Sequence, residues 1–157
     1  MKERLIFPDG YESRFSRLEI ARAVRFIKEE FGKNIEREFS LEYIPSPLFF
    51  RRDSGINDNL NGFERPVSFD LLESPMTICE VSQSVAKWKR LELSRLGLRA
   101  GEGIWSETNS VRRDEITDNV HSLLSDQWGW EVIIEKKDKT EEFLFAFVRK
   151  IYSVIKE

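Results

Sequence analysis

Apolar residues recur at helical spacing at Ile20, Val24, Ile27, Phe31 and Ile35, which draws one stripe along a helix. Just upstream, Ser16-x-x-Glu19 has the spacing of a capping box. The pattern predicts a helix running to about Arg37, with Gly32 a weak point inside it. Leu41 to Ile44 reads as a short strand, and Pro45 and Pro47 stop a helix there. Arg51 to Arg65 is rich in Gly, Asn and Asp and reads as loop. Val67–Leu71 and Met76–Val81 read as strands, and Ala86–Leu96 as a helix bounded by Gly97. Ile104–Arg113 and Asn119–Trp128 read as a long antiparallel pair across a short acidic connection. Phe143, Phe147, Ile151 and Val154 mark a last amphipathic helix, with Thr140 as its cap.

The order is helix, strands, helix, strands, helix, with neighbouring strands close enough to form hairpins. That order predicts an α+β fold, an antiparallel sheet flanked by helices. No repeat, low-complexity segment or linker divides the chain, so 1–157 is expected to be a single domain. A chain of this size buries roughly 68–70% of its unfolded surface, enough for one core.

Charged residues make up 34% of the chain, and the net charge is −3. The weak acidic balance gives no electrostatic reason to bind nucleic acid. Local basic clusters at Lys87–Arg90 and Arg112–Arg113 are offset by neighbouring acids. The single cysteine, Cys79, excludes a disulfide framework and a Cys-rich zinc site, and is expected to be a buried small hydrophobe. No apolar run approaches the roughly 18–20 residues a membrane span needs, and MKERLIFPDG lacks the apolar core of a signal peptide. A soluble, cytoplasmic protein is expected.

On a helical wheel with Val85 at zero, Leu96 falls near 20°, Lys89 near 40° and Leu93 near 80°. Lys89 therefore sits inside the apolar arc, while Lys87 and Arg90 point to the polar side. An inward lysine must find an anion or lose its charge. A pair with Glu92, three residues on, is one answer. A ligand carboxylate is another, and snorkelling to solvent a third.

In the strand Ile104–Arg113, Ile104, Ser106, Thr108, Ser110 and Arg112 share a face. In Asn119–Trp128, one face carries His121, Leu123, Ser125 and Gln127, the other Val120, Ser122, Leu124, Asp126 and Trp128. If Arg112 and Gln127 face the same way, a cation and an amide form a surface suited to a small anion. Periodicity does not say which faces match, and a solvated hairpin face is the plainer reading. Asp58, in INDNLNG, has the setting of a turn-forming Asp. His121 is the only histidine and reads as a packing residue in a strand, and Trp88, Trp105, Trp128 and Trp130 as core or interface anchors. Gly101–Gly103 is not a phosphate loop, and no HExxH, GxSxG, CxxC or EF-hand pattern occurs.

The segments GINDNLNGFERPVSFD, SVAKWKR, GEGIWSETNSVRRDE and DNVHSLLSDQWGWE, in that order, resemble the first half of ammonia-dependent asparagine synthetases, the aspartate–ammonia ligase family. The resemblance covers nearly the whole chain. It implies a class II aminoacyl-tRNA synthetase-like catalytic domain, truncated here, and a homodimer. Arg112 is similar to the arginine of motif 2, and Pro47 to the interface proline of motif 1, preceded by the Ile20–Ile35 interface helix. The implied reaction joins L-aspartate and ammonia with ATP through a β-aspartyl-adenylate, releasing AMP and pyrophosphate.

By the same resemblance, Arg112 would neutralise charge as a carboxylate attacks the α-phosphate, a task that needs a cation. Lys89 would hold an aspartate carboxylate and Gln127 the aspartate backbone groups. Asp58 would sit by the β-carboxyl and help to accept the proton that ammonium loses. His121 and Ser122 would lie near the nucleotide, and Asp114 or Glu115 near the adenine.

Two departures stand out. The family's DQWDWE is DQWGWE here, so Gly129 removes an acid expected near the substrate ammonium. No glycine follows Gly129, so the Gly-rich motif 3 that ends in an arginine lies outside this chain, and the carboxylates expected to bind Mg2+ with it. The chain is therefore expected to need a second polypeptide that supplies the missing half. The alternative is a catalytically silent paralogue that dimerises or binds aspartate or nucleotide.

Overall fold

The computed structural model describes residues 4–156. The chain divides into two compact units, one made chiefly of Tyr43–Leu98 and Ile104–Glu131, the other of Phe7–Glu42, Arg99–Gly103 and Val132–Glu157.

The second unit is helical. Helix α1 spans Arg17–Phe39 and opens on the expected capping box: the Glu19 N–H donates to the Ser16 hydroxyl, and the Glu19 carboxylate accepts from the Ser16 N–H at 2.8 Å. The stripe is buried only at its C-terminal end. Ile35 is fully buried, whereas Ile20, Val24 and Ile27 are 47%, 47% and 53% exposed. Helix α3 spans Glu141–Lys156, and the Phe143 N–H donates to the Thr140 hydroxyl as the cap reading requires. The α1 and α3 helices meet through Phe39 and Phe147, whose ring centroids lie 4.6 Å apart, and the Lys150 ammonium stands 4.6 Å over the Phe39 ring. Phe39, Phe143, Phe147 and Lys150 line a cavity of about 310 Å³.

The first unit carries the strands: β1 (Leu41–Tyr43, which ends in this unit), β2 (Phe49–Arg51), β3 (Ser68–Leu71), β4 (Ser74–Val81), β5 (Gly103–Val111) and β6 (Leu124–Val132). They form two three-stranded sheets, ordered β2-β4-β3 and β1-β5-β6. In the first sheet both pairings are antiparallel, with Phe50 opposite Glu80 and Phe69 opposite Cys79. Cys79 is buried at 1% exposure, as its place among apolar residues predicts. Strand β2 is an element that the apolar doublet Phe49–Phe50 is too short to announce.

Helix α2 spans Ala86–Arg95 and stops at Gly97, whose φ of 65° is left-handed and costs glycine little. The Leu98 N–H then donates to the Leu93 carbonyl and closes the turn.

Strand β6 begins at Leu124, not at Asn119. The reason is local. Asp118 Oδ1 accepts from the Val120 and His121 N–H groups at 2.8 Å each, so these amides close a turn and are withdrawn from a ladder. His121 is therefore a turn residue and not a strand packing residue, and the strand parity drawn through Val120, His121 and Ser122 does not apply.

Candidate functional site

The register of β5 against β6 decides the site. The Arg112 N–H donates to the Leu123 carbonyl at 2.7 Å, and at the other end the Ile133 N–H donates to the Glu102 carbonyl at 2.9 Å. Both bonds belong to one antiparallel register, which sets Ser110 opposite Ser125, Thr108 opposite Gln127, Ser106 opposite Gly129 and Ile104 opposite Glu131. Residues directly opposite point to the same side. Arg112 and Gln127 therefore share a face, the condition that periodicity leaves open.

Helix α2 lays Lys89 on that same face. A Cβ placed on Gly129 would stand 2.4 Å from the Lys89 Nζ. Lys89 is 4% exposed, as its position on the wheel predicts, and among the described residues its ammonium makes no hydrogen bond or ion pair. Glu92 does not answer it, because Arg95 takes that carboxylate at 2.6 Å. Burial pushes the Lys89 ammonium below its ordinary range, opposed by attraction to Glu131 and aided by repulsion from Arg90. Glu131 itself pairs with Arg90 at 3.6 Å.

The face is polar and partly unsatisfied. Buried side-chain atoms with no hydrogen-bond partner among the described residues are Oε1 and Nε2 of Gln83, Oγ of Ser106 and Nε of Arg112. Ser106 and Arg112 lie on the face. Gln83 stands over it, since the Ser110 hydroxyl donates to the Gln83 carbonyl at 3.3 Å. Buried polar groups in folded proteins are nearly always paired, so such a cluster marks a place where a polar ligand or water completes the bonding. Gln83 and Ser106 are the site residues that sequence reasoning passes over. The only signal for Gln83 is a polar Ser82-Gln83-Ser84 run leading into the α2 apolar arc.

The other expected site residues are placed as follows. The Gln127 Nε2 donates to the Ser125 hydroxyl at 3.1 Å, which leaves its Oε1 to accept. The Arg112 guanidinium donates to Glu64 at 3.1 Å, with Glu115 at 4.0 Å, so two acids of the chain stand where an anionic ligand would bind. Asp114 accepts from both the backbone and the guanidinium of Arg65, which holds its pKa down at about 2. His121 is 54% exposed at its side chain and pairs with Asp118 at 2.9 Å, and Ser122 Oγ accepts from the Leu124 N–H at 3.3 Å. Asp114, Glu115, His121 and Ser122 thus all lie in the turn segment between β5 and β6.

Asp58 is half-buried in the loop before β3, and no hydrogen bond among the described residues holds its carboxylate. The turn-forming work falls to its neighbours: Asn61 Oδ1 accepts from the Phe63 and Glu64 N–H groups, and Asn57 braces the strand segment behind. Among the described residues no group of three or more His, Cys, Asp or Glu could hold a metal ion. No helix among them is long and apolar enough to cross a membrane.

A sequence model of the aspartate-ammonia ligase family matches residues 18–157. The chain is 44% identical over 155 residues to an aspartate–ammonia ligase of Clostridium tetani, covering 99% of this chain and 46% of that protein. It is 43% identical to the corresponding ligase of Limosilactobacillus reuteri, covering 97% of this chain and 45% of that one. The chain thus spans about half the length of these relatives. Among solved structures it is similar to a pyrrolysyl-tRNA synthetase of Desulfitobacterium hafniense, at TM-score 0.58 and 13% identity over 84% of this chain and 45% of that one. A second is an ATP phosphoribosyltransferase regulatory subunit/histidyl-tRNA synthetase of Bacillus halodurans, at TM-score 0.59 and 14% identity over 94% of this chain and 38% of that one. These likenesses show the α+β fold of class II synthetase catalytic domains.

Proposed function

The chain belongs to the aspartate–ammonia ligase family, and we propose that it supplies the aspartate site and part of the nucleotide site of that reaction. ATP, L-aspartate and ammonia would give L-asparagine, AMP and pyrophosphate. The carrying observation is that Lys89, Gln127 and Arg112 share one face of the β5–β6 pair, with unpartnered buried polar atoms beside them.

In this reading Lys89 binds one aspartate carboxylate. Its ammonium is desolvated and unpaired, so an incoming carboxylate restores the attraction that burial removed. Gln127 Oε1 accepts from a backbone group of the substrate. The β-carboxylate then attacks the α-phosphorus of ATP: a C–O–P bond forms, the bond to the pyrophosphate oxygen breaks, and pyrophosphate leaves. Arg112 turns from Glu64 to the phosphate and offsets the charge that builds there. Ammonium gives one proton to a base, for which Asp58 has a free carboxylate. The ammonia formed attacks the acyl carbon, the acyl C–O bond breaks to expel AMP, and the nitrogen loses a second proton to solvent as the amide forms. Asp114, Glu115, His121 and Ser122 flank the nucleotide from the turn after β5.

The remainder of the site, including groups for Mg2+, comes from a further segment or a second polypeptide. Two copies of the chain pair through α1, whose exposed Ile20, Val24 and Ile27 are apolar surface without cover in their own unit. The work is cytoplasmic, where ATP and aspartate are at hand and Cys79 stays reduced.

The test is pyrophosphate release from ATP that depends on both aspartate and ammonia. It is run with the purified chain alone and mixed with the C-terminal half of the Clostridium tetani relative, beside calorimetric titration of aspartate. Turnover in the mixture supports the reading. Aspartate binding without turnover leaves a binding module, and absence of both sinks the proposal. A monomer in sedimentation at micromolar concentration would remove the α1 pairing.

A further inference from the structure

Gln83 is 2% exposed, yet neither atom of its side-chain amide has a partner among the described residues. Its backbone, by contrast, is held on both sides. The Gln83 N–H donates to Asn57 Oδ1 at 2.9 Å, and its carbonyl accepts from the Ser110 hydroxyl at 3.3 Å. Asn57 Nδ2 donates in turn to the Val81 carbonyl at 3.2 Å and to Glu80 at 3.4 Å. The residue next to Asp58 is thus tied to the segment that carries Gln83 into α2, and Ser110 ties that segment to the polar face of β5. A fold that fixes a residue this firmly and leaves its amide unbonded bears a standing cost, because a buried donor and a buried acceptor both go unmet.

Of the buried unpartnered atoms, Oε1 of Gln83 alone can only accept, a second acceptor beside the Oε1 that Gln127 leaves free. Lys89 and the Nε of Arg112 can only donate. A ligand carrying only carboxylates is met by these donors and has no use for an acceptor. A ligand carrying an ammonium beside its carboxylate has need of one.

We propose that Gln83 is a ligand-contacting residue of this site that reads an amino-acid zwitterion: Nε2 donates to a carboxylate oxygen and Oε1 accepts from the ammonium. This rests on the aspartate-binding reading above and adds a specificity element to it. Lys89 then selects for a carboxylate, and Gln83 distinguishes an amino acid from the same acid without its amino group.

The test compares aspartate with succinate by calorimetry on the full chain and on Gln83→Met, a substitution of similar length without polar atoms. The wild type should bind aspartate about tenfold more tightly than succinate, the size of one or two buried hydrogen bonds. In Gln83→Met that ratio should fall about threefold, chiefly through weaker aspartate binding, with Gln127 Oε1 left as the remaining acceptor. If Gln83→Met does not fold, Gln83→Ala carries the same comparison. An unchanged aspartate-to-succinate ratio in a folded variant overturns the proposal and assigns the amide to a buried water. A wild type that binds neither acid overturns the aspartate reading itself, whereas equal aspartate affinity in wild type and variant removes only the role of Gln83.

Discussion

The Lys89 ammonium lies where a side chain at position 129 would begin: Cβ on Gly129 would stand 2.4 Å from Nζ. No real Cβ contact is that short, so position 129 and the conformation of Lys89 are one choice and not two. The listening partner is the flexible end of a lysine, which can move, and not a rigid backbone.

Gly129→Ala should therefore fold, with the lysine end displaced toward solvent. Its ammonium would regain hydration and titrate closer to its ordinary 10.5. Side-chain NMR of labelled lysine checks this. A Lys89 titration identical in the two proteins would mean that the lysine does not depend on the glycine.

Lys89 should also shape stability against pH. Burial lowers its pKa in the folded chain, so between that value and 10.5 the unfolded chain holds a proton that the folded chain has lost. Stability then rises with pH through the window, and the cost of the buried charge is fully present below it. Lys89→Met removes that charge and should stabilise the free chain at pH 7 by roughly 1–3 kcal/mol, flattening the pH dependence. Urea unfolding from pH 7 to 10.5 measures both, and a less stable Met variant would show that the ammonium has a partner in solution.

Glu64 holds the Arg112 guanidinium at 3.1 Å. A polyphosphate that needs Arg112 must displace this carboxylate. Glu64→Gln should tighten ATP binding about two- to fivefold, the range of a partly exposed ion pair. Equal or weaker ATP affinity in the variant, read by calorimetry, would mean that Glu64 orients Arg112 and does not compete for it.

The Ser16 cap is a stability element alone. Ser16→Ala removes the acceptor for the Glu19 N–H and should cost about 1 kcal/mol. Aspartate binding in the other unit should be unchanged, so a loss of affinity with this variant would be unexpected on every argument above.

His121 is held above its ordinary 6.5 by its hydrogen bond to Asp118 and the attraction that goes with it. That contribution is complete below 6.5 and is lost as pH rises through the higher folded value. Asp118→Asn should return the imidazole titration, followed by ring-proton NMR, to about 6.5. A midpoint that does not move would assign the shift to Glu115, the weaker attraction.

The parts legible in the chain were those set within one turn of helix or one strand. Ser16 and Glu19 announce the start of α1, Thr140 that of α3, and the wheel position of Lys89 its inward direction, because each depends only on neighbours three or four residues away. The partner of Lys89 was not legible: Glu92 has the right spacing, but Arg95 has it too and takes the carboxylate. Periodicity starts β6 at Asn119 and the structure at Leu124, because Asp118 draws the next amides into a turn, and a side chain competing with a ladder leaves no mark in hydrophobic periodicity.

The sequence by itself determined the family, the helices and the alternation that puts Ser106, Thr108, Ser110 and Arg112 on one side of a strand. Only the tertiary structure decided that Gln127 and Arg112 face the same way, that Lys89 fills the space over Gly129, and that Gln83 is buried with its amide unmet. The physical reason is register. Alternation along a strand is local, but the offset between two strands is settled by bonds such as Arg112 to Leu123, and a slip of one residue would have turned Gln127 to the other face.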